Sequence, residues 1–378
     1  MRTLASSTVK NKTVALRVDL NVPIQKQLIL DDTRIISILP TIQYLLTENA
    51  KVILISHLGR PYAGHFDPQF SLDPVARKLS ELLEIEVPLI SSIVDAKFET
   101  PISLLENTRF LVGELENDLD LANSLGNIAE VYVFDAFGTS HREQASTYGA
   151  INHADISCAG LLLEKEIAAL SSAISSINAP LLSIIGGSKV SSKLGVIKNL
   201  SLLSENIITG GGITNTFLKA SGLNIGSSLY EESMLSEARD LLSSTNIYLP
   251  NQVVVSSNID SLESRVCDVR DVQDNEMILD QVLDEQAFNL ISQAKQIIWN
   301  GPIGVFERDA FAQGTQQLAE AIAQSSAFSL AGGGETLLAI KMFINKSDIS
   351  YCSTGGGAFL EFMEGKELPS LSALGFTK

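Results

Sequence analysis

Leu181-Leu182-Ser183-Ile184-Ile185-Gly186-Gly187-Ser188-Lys189-Val190-Ser191-Ser192-Lys193 is an apolar run that stops at two glycines and continues as a polar stretch with two lysines. A short aliphatic run reads as a buried strand, and a glycine pair at its end reads as a turn into a helix. The pattern returns at Thr209-Gly210-Gly211-Gly212, Ala331-Gly332-Gly333-Gly334 and Thr354-Gly355-Gly356-Gly357, and every glycine pair of the chain lies after residue 180. Turns of this kind are open enough for backbone N–H groups to approach an anion. One such turn alone is better explained by a helix packing closely on a strand. Four in one half point to nucleotide phosphates.

Moving outward, β-branched runs recur at residues 13–18, 51–55, 131–134, 206–209, 252–255, 296–299, 328–331 and 349–352. Helical spacing fills the intervals at 34–47, 73–83, 191–203, 284–294 and 310–323. Strands alternating with helices predict an α/β fold of parallel sheets with helices on both faces, with ligands at the carboxyl ends of the strands. Residues 159–170 read as one helix and lie between the last arginine-bearing loop and the first glycine turn. A helical hinge is therefore expected there, joining two domains.

Lys189 and Lys193, four apart, are expected on one face of the nascent helix, where like charges disfavour each other unless an anion lies between them. Trp299 reads as a core anchor. The loop after it, Asn300-Gly301-Pro302-Ile303-Gly304-Val305-Phe306-Glu307, offers an apolar wall (Pro302, Val305) and a carboxylate (Glu307) suited to a base and a ribose diol. No Gly-x-x-x-x-Gly-Lys-Ser/Thr occurs, and the triple-glycine turns lack the third glycine of the dinucleotide fingerprint.

The first half has side-chain cations where the second has glycines: Arg34, His57, Arg60, Arg109, His141 and Arg142. A lone loop arginine is usually solvated. Several at the ends of parallel strands would make a cationic pocket, and the planar guanidinium suits carboxylate and phosphate. A chain holding anions with side chains in one half and with backbone in the other is suited to moving a phosphoryl group between two ligands, with the two sets of loops facing a shared cleft.

The 378 residues are 45% apolar and carry a net charge of −17, from 44 acidic and 27 basic side chains. That length fits two domains, and that charge disfavours nucleic acid and anionic membranes as partners. Three widely spaced cysteines without Cys-x-x-Cys argue against a disulfide framework or structural zinc. Without a signal-like N-terminus or a bilayer-length apolar run, a cytoplasmic protein is expected.

Taken together, the strings resemble the phosphoglycerate kinase family. The matching segments are Arg17-Val18-Asp19-Leu20-Asn21-Val22-Pro23, Asp31-Asp32-Thr33-Arg34-Ile35, Ser56-His57-Leu58-Gly59-Arg60-Pro61, Leu105-Glu106-Asn107-Thr108-Arg109-Phe110 and Asp135-Ala136-Phe137-Gly138-Thr139. In the second half they are residues 186–193, 210–212, 299–307, 332–336 and 353–358.

The resemblance implies two Rossmann-like domains. Residues 1–165 would bind phosphoglycerate, with the tail 365–378 packing back on them, and residues 166–364 would bind nucleotide. It implies Asp19, Leu20, Asn21, Arg34, His57, Leu58, Gly59, Arg60, Arg109 and Arg142 as the substrate pocket. Lys193, Gly211, Asn300, Pro302, Glu307, Gly333, Gly334, Glu335 and Thr336 would hold ATP or ADP, with Mg²⁺ at Glu335. Arg34, Lys189, Lys193, Gly355 and Gly356 would stabilise the moving phosphoryl group. The partners would be small molecules only, 3-phosphoglycerate or 1,3-bisphosphoglycerate and the nucleotide, and the protein a monomer.

The chain departs from the family pattern in three places. Glu335 stands where Gly-Gly-Gly-Asp-Thr has aspartate. Ile278-Leu279-Asp280-Gln281-Val282-Leu283 replaces Gly-Leu-Asp-Ile-Gly-Pro, and Phe134 replaces an asparagine. The alternative is a nucleotide-binding relative with weakened catalysis, acting as a regulatory or scaffold module. A different two-domain kinase of small acids has only fold analogy behind it.

Overall fold

The computed structural model describes residues 1–175 and 178–377. The chain forms two compact units, Met1–Ala168 with Glu367–Lys378, and Ala169–Lys366. The boundary falls inside the helix Leu161–Ser175. The helix starts two residues later than expected, because Ser157–Ala159 pairs as a strand with Tyr132–Phe134.

The strands of the first unit are β1 (Thr13–Val18), β2 (Ile24–Gln25), β3 (Leu28–Ile29), β4 (Lys51–Ile55), β5 (Leu89–Ile90), β6 (Ile102–Leu105), β7 (Val131–Asp135) and β8 (Ser157–Ala159). Six of them make one sheet in the order β5-β6-β4-β1-β7-β8, and β2 and β3 form a separate ribbon. Every pair in the six-stranded sheet is parallel. The central strand β1 is buried from Val14 to Val18, as a strand covered on both faces must be. Because the strands are parallel, the loops after β6, β4, β1 and β7 all emerge on one edge.

The terminal stretch also belongs to this unit. Ser370 N donates to Ser140 O at 3.1 Å, and the N-terminal ammonium donates to Gly375 O at 2.9 Å. Lys378, the last residue of the expected tail, lies outside the described residues.

The second unit holds β9 (Leu181–Gly186), β10 (Asn206–Gly210), β11 (Ile247–Tyr248), β12 (Gln252–Ser256), β13 (Arg265–Asp268), β14 (Met277–Val282), β15 (Gln296–Asn300), β16 (Phe328–Ala331) and β17 (Tyr351–Cys352). A parallel sheet runs β11-β10-β9-β15-β16-β17. Trp299 of β15 is 1% exposed within its core and donates Nε1–H to Gly301 O at 2.9 Å.

Both units are thus α/β with parallel sheets flanked by helices, as the strand–helix alternation predicts. One strand departs from it. Residues 252–255 do not join the parallel sheet: β12 is the centre of an antiparallel sheet, β13-β12-β14. Its run Val253-Val254-Val255 is buried on both faces and so has the composition of a parallel strand. No described helix is long and apolar enough to cross a membrane.

Candidate functional site

In the first unit the chain leaves β1 at Val18 and turns at Asp19, where Asn21 N–H donates to Asp19 Oδ1 at 3.1 Å. Arg34, in the first turn of the helix Thr33–Thr47, donates through one nitrogen to both Asp19 carboxylate oxygens, at 2.9 and 2.8 Å, and to Asn21 O at 3.2 Å. Burial pushes the Asp19 carboxyl up, and the neighbouring positive groups, Arg34 foremost, with the Asn21 N–H bond more than offset it, so its pKa falls below the usual value.

The loop after β4 brings His57 between two arginines. Arg17 lies 3.3 Å from Nδ1 and Arg142 lies 3.4 Å from Nε2. Burial holds the imidazole pKa well below its usual value. Asp19 opposes this, and Arg17, Arg109 and Arg142 add to it, so the ring is neutral at pH 7. Gly59 N–H donates to Asn21 Oδ1 at 2.9 Å, and Arg109 donates to Gly59 O, which ties the loops after β1, β4 and β6 together. Burial and then the charges of Arg142 and Arg17 bring the Arg109 pKa down to about 10, still charged at neutral pH. Its buried Nε has no partner among the described residues. Half-buried guanidinium groups that repel one another, one with an unused donor, have the chemistry that suits an anion.

Arg60 is exposed beside these groups. Leu20 and Leu58 reach the same edge but are 0% and 4% exposed, and their N–H groups are taken by Ser56 Oγ and Asn107 Oδ1. They pack the loops and present no free polar group.

Arg17 joins the site although nothing in the sequence pattern assigns it a role. It is fully buried, donating from Nε to Ser146 Oγ at 2.9 Å. Ser146 in turn donates to Glu114 at 2.6 Å, and Tyr132 donates its phenol to Ser146 O at 2.6 Å. This network fixes the guanidinium that faces His57. The readable signal is a charge next to the end of an otherwise apolar strand.

In the second unit the four glycine turns sit at the carboxyl ends of β9, β10, β16 and β17, and three helices begin at Gly212, Gly334 and Gly356. The turn after β9 differs from expectation. Its helix begins at Leu194, so Lys189 and Lys193 both precede it and share no helical face. Lys189 is exposed. Lys193 folds back, donating Nζ to Gly186 O and, at 3.3 Å, to Asn300 O. Burial brings its pKa down to about 8 against the pull of the Glu335 charge.

Asn300 donates Nδ2 to Gly332 O at 2.7 Å, while its buried Oδ1 has no partner among the described residues. Thr336 accepts from Gly301 N at 2.7 Å and donates to Gly332 O at 2.8 Å, closing the turn after β16. Gly211 and Gly333 have φ of +64° and +98°, a region other residues rarely adopt. Gly334 and Gly356 face open space: no heavy atom lies within 4 Å of where a Cβ would sit.

Glu335 is exposed in the first helical turn after β16, near enough to Lys193 to act on its charge. No cluster of three or more metal-ligating side chains occurs among the described residues. One accessible carboxylate fits Mg²⁺, which takes one or two protein carboxylates and completes its shell with phosphates and water. Pro302 is half-buried and Glu307 exposed, on the loop after β15. Ile278 is packed into the core of the antiparallel sheet with Leu218, Val253 and Val255.

The family model described as Phosphoglycerate kinase matches residues 4–366. The phosphoglycerate kinase of Francisella philomiragia is 47% identical, over 98% of this chain and 97% of the relative, and that of Blochmanniella floridana is 46% identical, over 96% and 93%. Among solved structures, phosphoglycerate kinase from Coxiella burnetii superposes with a TM-score of 0.93 at 44% identity, covering 99% of this chain and 98% of that one. The Pyrococcus horikoshii enzyme gives 0.84 at 33%, with the same coverage.

Proposed function

The chain belongs to the phosphoglycerate kinase family, and from that premise we propose how its residues divide the phosphotransfer. The protein is a phosphotransferase that moves a phosphoryl group reversibly between 1,3-bisphosphoglycerate and ADP, giving 3-phosphoglycerate and ATP; the binding-module alternative is not favoured. The observation that supports the division is chemical. The loop edge of the first unit carries guanidinium groups with an unused donor, and that of the second carries open amide turns and one buried lysine.

The phosphoglycerate anion is taken by Arg34, Arg60, Arg109 and Arg142, with Asp19, Asn21, neutral His57 and Gly59 holding their geometry. The nucleotide is taken by the turns at Gly211 and 333–336, with Asn300 and Lys193 at its phosphates and Pro302 and Glu307 toward base and ribose. Lys189, Gly355 and Gly356 meet the moving group. In the ATP-forming direction an ADP oxygen attacks the acyl phosphate phosphorus, that P–O bond forms, and the bond to the carboxylate oxygen breaks. Neither nucleophile needs deprotonating at pH 7, so no general base is required. The work left is alignment of two anions and neutralisation of charge on the transferring group. Mg²⁺ bound with the nucleotide at Glu335 would supply part of that neutralisation.

A coupled assay with ATP and 3-phosphoglycerate tests the assignment. Wild type is expected to turn over, and Glu335→Asp to change the rate through the metal; no turnover in either protein would overturn the reading. Because the two residue sets belong to different units, transfer requires the units to close with both ligands bound, excluding water. Small-angle scattering should show compaction with both ligands; an unchanged radius would sink this step.

Lys193 adds a pH dependence. With a pKa of about 8 it is roughly half-protonated at pH 8, and phosphate oxygens beside it favour the ammonium. MgADP binding should therefore take up protons near pH 8 and little below pH 7, and affinity should fall as pH rises through 8. Titration calorimetry in buffers of different ionisation heat measures the uptake; none at pH 8 would remove Lys193 from the phosphates.

A further inference from the structure

β10 leads into the turn Gly210-Gly211-Gly212. On its outer side it pairs with β11 only at Ile207 and Ile208. Thr209 lies one residue beyond that pairing and is 0% exposed, so neither a further strand residue of β11 nor water is at hand for its carbonyl. The donor comes from the other sheet of the unit. Gln281 of β14 donates Nε2–H to Thr209 O at 2.7 Å.

Gln281 is 2% exposed, and its Oε1 has no partner among the described residues. A buried amide satisfied on one side only leaves its own acceptor stranded, and an apolar side chain of the same volume would strand the Thr209 carbonyl instead, so stability alone gives little reason to prefer the amide. Its use lies in what it holds. Past Thr209 the turn is fixed by three backbone bonds: Gly187 N to Gly210 O at 3.2 Å, Gly211 N to Ile303 O at 3.2 Å and Ile213 N to Gly187 O at 3.1 Å. All three lie on the turn itself or C-terminal to it. Gln281 holds the residue from which the turn springs.

We propose that Gln281 is a positioning residue for the nucleotide: it anchors the Thr209 carbonyl and so sets the course on which the turn from Gly210 to Gly212 leaves the strand. The proposal rests on the reading that this turn meets the nucleotide. Gln281 then couples the antiparallel sheet to the nucleotide turn without touching the ligand.

The test is titration of MgADP into wild type, Gln281→Met, Gln281→Asn and Lys193→Met, together with the KM for 3-phosphoglycerate. Methionine keeps the volume and loses the donor; asparagine keeps the amide but is one methylene short. Both should bind MgADP about three- to tenfold more weakly, the worth of one hydrogen bond, with the 3-phosphoglycerate KM unchanged. A purely structural role would lower the melting temperature and leave nucleotide affinity as it was, which overturns the proposal. If Lys193→Met binds weakly and both Gln281 variants bind normally, Gln281 falls and the nucleotide reading stands. If none of the three weakens binding, the nucleotide reading itself falls. Should Gln281→Met fail to fold, Gln281→Asn decides.

Discussion

Arg34→Ala should lower kcat about 10²–10³-fold while leaving MgADP affinity little changed. Removing one group that stabilises charge in the transition state costs about 3–4 kcal/mol, which is this factor in rate. Arg34 is suited to that role because it is preorganised. Its guanidinium is held by Asp19 at 2.8 Å and by the Asn21 carbonyl, and its side chain is 37% exposed, so it is oriented yet reachable. It belongs to the unit without the glycine turns, so nucleotide affinity should not depend on it.

Loss of Arg34 also removes the strongest positive charge acting on Asp19. Some rise in the 3-phosphoglycerate KM is therefore expected, but smaller than the fall in kcat. Arg34→Lys should recover only part of the rate, since an ammonium lacks the planar fork that serves Asp19 and a phosphoryl oxygen together. Steady-state kinetics with MgADP titration decides: near-normal turnover in Arg34→Ala would take the residue out of the mechanism.

What could be read from the chain beforehand was whatever is encoded locally. Gly210 to Gly212 follow an apolar run and precede a helix within a dozen residues, so strand, turn and helix were all visible. Arg34 opens a helix whose spacing was readable, and Arg109 stood out as a cation in a loop-like segment. Arg17 was quoted but given no task, because its partners are remote: Ser146 is 129 residues away, and His57 comes from another strand end. The antiparallel sheet was missed because Val253-Val254-Val255 looks the same whether its neighbours run parallel or not. The late start of the helix at Leu194 follows from Lys193, whose Nζ bonds back to Gly186 O. That bond is between a side chain and a strand end seven residues earlier, which helical spacing cannot reveal. Gln281, known from the sequence only as a departure, acquired a role once Thr209 was seen to lie past the last β11 pairing.

Gly186→Ala should cost the second unit about 2–4 kcal/mol and reduce MgADP affinity more than tenfold (roughly 1.4 kcal/mol or more of binding). A Cβ at residue 186 would lie 1.8 Å from Pro302 O, 2.7 Å from its carbonyl carbon and 2.8 Å from the Gly301 carbonyl carbon. All three are backbone atoms of the loop after β15, so no rotamer relieves the clash. A Cβ on Gly301 would likewise lie 2.2 Å from Gly186 O, so the two chains meet glycine to glycine. Admitting the methyl must push apart strand ends paired at Ile185 with Asn300. Lys193 Nζ bridges those same ends, through Gly186 O and Asn300 O, so the displaced strands would carry the lysine away from the phosphates.

The expected fall in melting temperature is about 4–16 °C, at roughly 2–4 °C per kcal/mol for a unit of this size. Gly334→Ala and Gly356→Ala are the controls. Their added Cβ meets nothing within 4 Å and neither has positive φ, so both should melt near wild type. Affinity for 3-phosphoglycerate should survive in Gly186→Ala, because the residues proposed to ligate it lie in the first unit. Calorimetric melting of the three variants, with each ligand titrated below the transition, separates the outcomes. Equal melting of Gly186→Ala and Gly334→Ala would mean that the close approach of β9 to the loop after β15 does not hold the nucleotide turn in place.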